Sequence, residues 1–309
     1  MLDLERLRVF IYAADNNSFS EAAKRLHLAQ PTVSHHIQAL EKSLNVELFE
    51  RSGGGVRLTE AGRLLLPWAQ KLVRQAMEVE TLMTSIDGGI AGQLRIACST
   101  TSGKYILSQL AARFCQRYSN IQVSILACSP ENIVPHLLEE EANLAVVSSY
   151  ELCNTELECQ EFFRDSITLI VPRAHPWALR RQIEPAALLE ERIVMREPSS
   201  GTRRVLRTEL AGHDITEDDL NIFLELGNAE AIVHTVQAGF GVAFVSRLAA
   251  NWALELGLVV AVPVSGMRLR RTIYMIRRRL EDPHRPQEVF WDFVHSPANE
   301  DLLLLPRSA

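Results

Sequence analysis

The 309-residue sequence has little of the positive charge on which a dedicated nucleic-acid binder relies. Its 32 Lys and Arg stand against 38 Asp and Glu, a net charge of −6. Any nucleic-acid reading must therefore come from a motif and not from bulk charge. No apolar run is long enough to cross a membrane, and Met1 to Glu5 carry no cationic start followed by an apolar stretch, so the expectation is a cytoplasmic protein with no membrane partner. The five cysteines include no C-x-x-C pair and no histidine at zinc-ligand spacing, and no H-x-x-x-H pair occurs, so neither a metal nor a cofactor is expected. Cys98, Cys115 and Cys128 end or lie in apolar patterns and read as plain thiols among other small hydrophobes. Parts for catalysis are missing as well. There is no G-x-S-x-G elbow, no Ser-His-Asp order, no motif with paired acids and no G-x-x-x-x-G-K-[ST] loop, which argues against an enzyme.

What is present begins with residues 18 to 62. Ser18 or Ser20 can cap a short helix whose apolar positions are Ala22, Ala23 and Leu26, small enough to let a second helix approach. Pro31 suits the first turn of that second helix, where its missing N–H costs nothing. Val33, Ile37, Leu40 and Leu44 then share one face, leaving Thr32, Ser34, His35, Gln38 and Glu41 on the other. Apart from Glu41, these side chains can bond base edges or phosphates from a major groove. Leu48 to Arg51 and Val56 to Thr59, joined by Gly53-Gly54-Gly55, read as a two-stranded wing with Arg51 and Arg57 within reach of the DNA backbone. Residues 3 to 15 supply a third helix through Leu4, Leu7, Phe10, Ile11 and Ala14.

The segments FSEAAKRLHLAQPTVSHHIQALE and LFERSGGGVRLTEAG resemble the LysR-type transcriptional regulators, with their A-A-x-x-L, Q-P-x-V-S-x-x-I-x-x-L-E and L-F-x-R…L-T-x-A-G patterns. The resemblance implies that Gln30, Pro31, Thr32, Ser34 and His35 face the groove and that Arg51 serves the wing. Many members carry Arg or Gln where this chain has His35 and His36, a departure that bears on the operator sequence and not on DNA binding.

After the wing, a helical run to about Ile86 places Leu65, Trp68, Leu72, Ala76, Val79, Met83 and Ile86 on a seam nearly 30 residues long. A seam of that length calls for a second copy, hence a homodimer on a pseudo-palindromic site, and the resemblance extends this to a homotetramer. Asp87 to Gly92 reads as a hinge.

From residue 93 strands alternate with helices. Strands are expected at 93–98, 121–127, 143–148, 166–172, 192–196, 221–226, 241–245, 257–262 and 269–277, with helices at about 102–118, 130–140, 184–190, 201–211, 229–238, 246–255 and 284–296. This is a doubly wound α/β pattern. Phe162 to Ser166 and Pro263 to Met267 look like paired crossings between two subdomains. The resemblance implies the same plan, an effector domain similar to periplasmic solute-binding proteins. The expected organisation is a winged helix-turn-helix over 1–62, a linker helix and hinge over 63–92, an effector-binding domain over 93–297 (subdomain I 93–163 and 268–297, subdomain II 164–267) and a tail over 298–309.

Strand ends in this region carry hydroxyls and amides: Ser99-Thr100-Thr101-Ser102, Ser129, Ser148-Ser149, Ser199-Ser200-Gly201-Thr202 and Asn228. Each alone can be a helix cap. Together, with Lys104 and with Arg196 as ion-pair partner, they form a site for a carboxylate or phosphate beyond the carboxyl ends of the strands. The resemblance implies a similar grip on an inducer, most like the branches that sense sulfur-assimilation or carbon-fixation metabolites. Operator DNA, a small anionic metabolite and RNA polymerase are the partners implied. Two alternatives stay open: an architectural DNA binder without effector response, and a redox sensor using Cys153 and Cys159, six positions apart in a polar stretch, as in the peroxide-sensing members. The six arginines from Arg268 to Arg279 read as a solvated strand face, with an intersubunit contact as the alternative.

Overall fold

The computed structural model describes residues 2–52, 55–84, 90–153, 155–279 and 285–304. The chain divides into two compact units, residues 1–92 and 93–309.

In the first unit, Asp3 starts α1 (Leu4–Asn16) by accepting from the backbone N–H groups of Glu5 and Arg6. Ser18, not Ser20, caps α2 (Phe19–Leu26) through the N–H of Glu21. Pro31 sits in the first turn of α3 (Gln30–Leu44), which ends at Asn45 in the left-handed conformation. Leu7, Phe10, Ala22, Val33, Ile37 and Leu40 make the buried centre. The wing strands β1 (Phe49–Ser52) and β2 (Gly55–Leu58) pair antiparallel, and Phe49 brings its ring against Phe10 and Phe19. Glu41, read from sequence as part of the polar face, instead accepts from the N–H groups of Leu48 and Phe49 and ties α3 to the wing. The long helix α4 (Glu60–Thr84) follows with Pro67 inside it, and Trp68, Leu72, Met77, Val79 and Met83 lie exposed along its length. The expected turn residues Gly53 and Gly54, the end of the seam at Ile86 and most of the hinge lie outside the described residues.

The second unit opens with β3 (Gly92–Cys98), α5 (Thr101–Arg117), β4 (Ile121–Ala127), α6 (Ile133–Leu138) and β5 (Leu144–Val147). Strand β6 then runs for 16 residues (Leu157–Pro172). Next come β7 (Arg192–Arg196), α7 (Gly201–Ala211), β8 (Asn221–Leu226), α8 (Ala229–Gln237), β9 (Ala243–Ser246), α9 (Arg247–Glu255), β10 (Val259–Val262), β11 (Arg270–Arg278), α10 (Arg285–Val294) and α11 (Glu300–Leu304). The largest sheet has the order β10-β6-β11-β5-β3-β4, with β9 also on β6. Pairs β3/β5 and β7/β8 are parallel, as a doubly wound pattern demands, whereas β6 is antiparallel to β9, β10 and β11. The sheet is therefore mixed.

Strand β6 carries both lobes. Its first ten residues, Leu157 to Ser166, pair with β11, and Ile167 to Pro172 pair with β9 and β10. One lobe has a core around Ala97, Ile133, Leu137, Ala145 and Ile276, the other around Leu169, Trp177, Ile193, Leu206 and Phe244. The sequence reading caught only residues 166–172 of this strand, and its helix at 184–190 proves to be a 3-10 turn over Pro185–Glu190. Within the expected tail, α11 docks on its own unit. The Arg113 guanidinium donates to both Asp301 carboxylate oxygens at 2.8 and 2.6 Å and to the Ala298 carbonyl, and Leu302 is buried.

Candidate functional site

Two surfaces hold the residues singled out from the sequence. On α3, Gln30, Pro31, His35 and Gln38 are exposed and Thr32 and Ser34 half-buried, while Val33, Ile37 and Leu40 point inward. The helix thus presents the expected polar face; the Arg51 side chain lies outside the described residues.

The second surface lies where strand ends of the two lobes meet. Thr100 is buried and caps α5 through the Gly103 N–H at 2.8 Å. Ser99 donates its backbone N–H to the Val146 carbonyl. Ser200 caps α7 by accepting from the Thr202 N–H. Gly201 packs directly on Ser148: a Cβ at this position would fall 2.1 Å from the Ser148 hydroxyl oxygen and 2.9 Å from Arg271 Nη1. Ser148 and the start of α7 are thereby brought together across the lobes. Asn228 caps α8 and shares a cavity of about 310 Å3 with Thr101, Lys104, Tyr105 and Glu230. Across that cavity the Tyr105 hydroxyl donates to Glu230. Burial first, then the Glu230 carboxylate, push the Tyr105 phenol above its ordinary value. Ser129 and Ser149 turn to local acids, Glu131 and Glu151; the Glu131 backbone amide and then Ser129 hold the Glu131 carboxyl below the usual range. The Ser102 side chain lies outside the described residues.

Arg196 departs from expectation. Its guanidinium is held by Glu197 in a two-bond pair at 2.7 Å for each bond, so it is not a free partner for a ligand. Arg203 is likewise engaged, by Glu217, Glu225 and the Arg196 carbonyl. Thr202 stands out instead. It is 1% exposed, and its hydroxyl oxygen has no hydrogen-bond partner among the described residues.

Sequence reasoning missed Arg271. Grouped with a solvated arginine face, it is in fact buried at the crossing between the lobes, donating from Nε at 2.9 Å to Asp165, whose other oxygen accepts from the Ser246 hydroxyl at 2.7 Å. Arg277 and Arg278 are not simply solvated either: they pair with Glu158 and Glu140, and Arg277 also covers the Trp291 ring. No local signal marks Arg271, because its partner lies 106 positions away.

The cysteines divide. Cys98, Cys115 and Cys128 are free thiols, whereas Cys153 and Cys159 form a disulfide that ties the loop after Ser148-Ser149 to β6. Burial pushes the Cys98 thiol up to about 11. At pH 8 iodoacetamide should therefore label Cys98 in the folded protein at least tenfold more slowly than an exposed thiol, because only the thiolate reacts. After denaturation without reductant, three cysteines should label, and five after reduction. Mass spectrometry counts them, and five labels without reductant would refute the bridge.

A winged helix-turn-helix with an exposed polar recognition helix, followed by a two-lobed α/β unit, defines a DNA-binding regulator. Residues 4–63 match the family of bacterial regulatory helix-turn-helix proteins of the lysR type, and residues 87–298 match the LysR substrate-binding domain. The chain belongs to the LysR family of transcriptional regulators. It is 35% identical over 289 residues, 93% of this chain and 96% of the other, to an uncharacterized HTH-type transcriptional regulator of Methanocaldococcus jannaschii. It is 34% identical to the RuBisCO operon transcriptional regulator of Allochromatium vinosum, covering 96% of this chain and 97% of that one. Among solved structures, the Synechocystis CcmR regulatory domain in complex with 2-PG is 27% identical, with a TM-score of 0.58 over 66% of this chain and 95% of that one. Full-length CbnR with its target DNA, 22% identical, superposes with a TM-score of 0.75 over 95% of this chain and 99% of that one.

Proposed function

We propose that this regulator reads its operator with Gln30, Pro31, Thr32, Ser34, His35, Gln38 and Arg51 and responds to a small anionic metabolite held between the two lobes. The expected division into domains at 62, 92 and 297, with subdomain I over 93–163 and 268–297 and subdomain II over 164–267, belongs to the same reading. The observation that carries it is the Thr202 hydroxyl, buried without a partner beside the Gly201–Ser148 contact. An unmet buried hydroxyl costs about 1–3 kcal/mol, a cost removed by an occupant that bonds it. Ser99, Thr100, Thr101, Ser102, Ser129, Ser148, Ser149, Ser200, Gly201 and Asn228 surround the ligand in this reading. Arg196 acts through Glu197 rather than by direct contact, and Lys104 supplies charge at the rim. The RuBisCO operon relative and the CcmR regulatory domain complexed with 2-PG favour a carbon-fixation metabolite bearing carboxylate or phosphate.

The apolar residues exposed along α4 support pairing of this helix with that of a second copy, giving a homodimer or homotetramer on a pseudo-palindromic operator. Ligand closure of the lobes would then change how the DNA-reading heads are placed and how the complex meets RNA polymerase, in the cytoplasm and without catalysis. The Cys153–Cys159 bridge favours a second reading, a thiol-disulfide signal acting on the Ser148-Ser149 loop.

A thermal-shift screen of the full-length protein against phosphorylated and carboxylated metabolites tests the first reading. A ligand at 100 times its Kd should stabilise the folded state by about 2.7 kcal/mol. Thr202→Val should abolish that shift while leaving operator affinity within about twofold in fluorescence anisotropy. A shift that survives Thr202→Val would remove the cleft from the proposal. Operator affinity that changes with reductant and with no metabolite would favour the second reading.

A further inference from the structure

We propose a second anion site, separate from the cleft, in the gap that opens where β6 exchanges β11 for β10 as its neighbour. Ser166 is the last residue of β6 opposite β11, facing Arg270, and Leu169 is the first opposite β10, facing Val262. Between them the chain from Val262 to Arg270 bows away and leaves a cavity of about 760 Å3. Ser166 and Thr168 line it, two residues apart on one face of the strand, and Ile167 and Leu169, which belong to the adjoining core, border it as well. Arg268 and Arg270 reach the cavity from one side and Arg247 from the other, where β9 leads into α9.

The Glu209 carboxylate accepts from the Arg268 backbone N–H at 2.7 Å, but among the described residues it holds none of the three guanidinia. The lining contains no Asp or Glu. Among the described residues no carboxylate pairs with Arg247, Arg268 or Arg270, in contrast to Arg271 one position on, which Asp165 holds. The Nε of Arg247 is buried with no hydrogen-bond partner among the described residues. A buried guanidinium nitrogen without an acceptor is costly, and an anion supplies the acceptor. The start of α9 adds to this. Ser246 occupies the N-cap position but gives its hydroxyl to Asp165 and makes no cap bond, so the first N–H groups of the nine-residue helix have no side-chain acceptor.

Three guanidinia with hydroxyls beside them match a multiply charged phosphate group, which Arg binds with two parallel bonds. The volume suits a small molecule carrying a phosphate or polyphosphate. The site is a cavity between strand ends with hydroxyls on its wall, which favours the phosphate of a small molecule over that of a DNA backbone. The site adjoins the Asp165–Arg271–Ser246 crossing, so an occupant would act on the same strands about which the lobes rotate.

Calorimetric titration of the full-length protein with pyrophosphate tests this, with inorganic phosphate and ATP as further probes. The wild type should bind pyrophosphate. Arg268→Gln with Arg270→Gln, both exposed, and separately Arg247→Gln, should each weaken binding at least tenfold with the unliganded melting temperature unchanged. Thr202→Val should bind as the wild type does, which separates this site from the cleft whatever becomes of the cleft reading. No binding of any probe, or variants that bind like the wild type, overturns the proposal. So does a shallower salt dependence of operator binding in Arg268→Gln with Arg270→Gln, because that assigns the arginines to the DNA backbone.

Discussion

Replacing Arg271 with methionine should destabilise the α/β unit by about 3–5 kcal/mol, the expected cost of stranding one member of a buried ion pair. The Asp165 side chain is 0% exposed, and Arg271 reaches it from Nε at 2.9 Å and from Nη2 at 2.8 Å. Without the guanidinium, the carboxylate keeps only the Ser246 hydroxyl, too little to replace the water it lost on burial. The cost should fall sharply when both charges go, because Asp165→Asn with Arg271→Met strands neither. Urea unfolding of wild type, both single variants and the double variant closes the cycle. A loss below about 1 kcal/mol for Arg271→Met would mean that water reaches the carboxylate. The substitution should also loosen the start of α7, since Arg271 Nη1 lies against Gly201.

A second large effect is expected at Gly62. This residue sits in the first turn of α4, where glycine is ordinarily a poor choice and alanine gains up to about 1 kcal/mol. Sterics reverse the sign. A Cβ there would fall 2.2 Å from the Leu48 carbonyl oxygen, a backbone atom, and 2.8 Å from Leu58. The Leu58 methyl can turn aside, but the Leu48 carbonyl cannot retreat cheaply, because it also accepts from the Thr59 N–H and Thr59 bonds the Glu47 carbonyl and the Gly62 N–H. Gly62→Ala should therefore cost the DNA-binding unit about 1–3 kcal/mol, with operator affinity falling through displacement of the wing. Gly227→Ala is the control, for nothing lies within 4 Å of the added carbon there; its effect should stay within about 0.5 kcal/mol. Calorimetric scans of both variants measure the difference. An unchanged melting profile for Gly62→Ala would refute the close approach.

The small head was legible because its signals are local. Apolar spacing in α3, the proline at its start and the caps at Asp3 and Ser18 all act within a few residues. Strand β7 was read at its observed bounds because it is short and apolar between polar neighbours. Strand β6 was half missed, because Leu157 to Gln160 alternate weakly, Phe162 and Phe163 are buried together and a register shift interrupts its pairing with β11. The hydroxyl-rich strand ends were found, but Thr100 and Ser200 prove to cap helices, as does the Asn228 side chain, whereas the Thr202 hydroxyl is buried with no partner among the described residues. The roles of Glu41 and Arg271 were invisible because folding brings up the groups that engage them, the wing N–H groups for one and Asp165 for the other. Arg196 is held by its own neighbour Glu197, a pairing that adjacency in the chain permits but does not dictate.

One ladder through both lobes has a consequence for inheritance. Because β6 completes the hydrogen bonding of both lobes, a break near Asp165 would cut the strand that pairs with β11 in one lobe and with β9 and β10 in the other, and would divide a buried ion pair. Neither lobe can be exchanged alone between relatives without both failing to fold. The junction at Gly92 is different, for there the chain passes from one compact unit to the next. Recombination that swaps DNA-reading heads among sensors is tolerable at that point, and the sensor travels as an indivisible cassette.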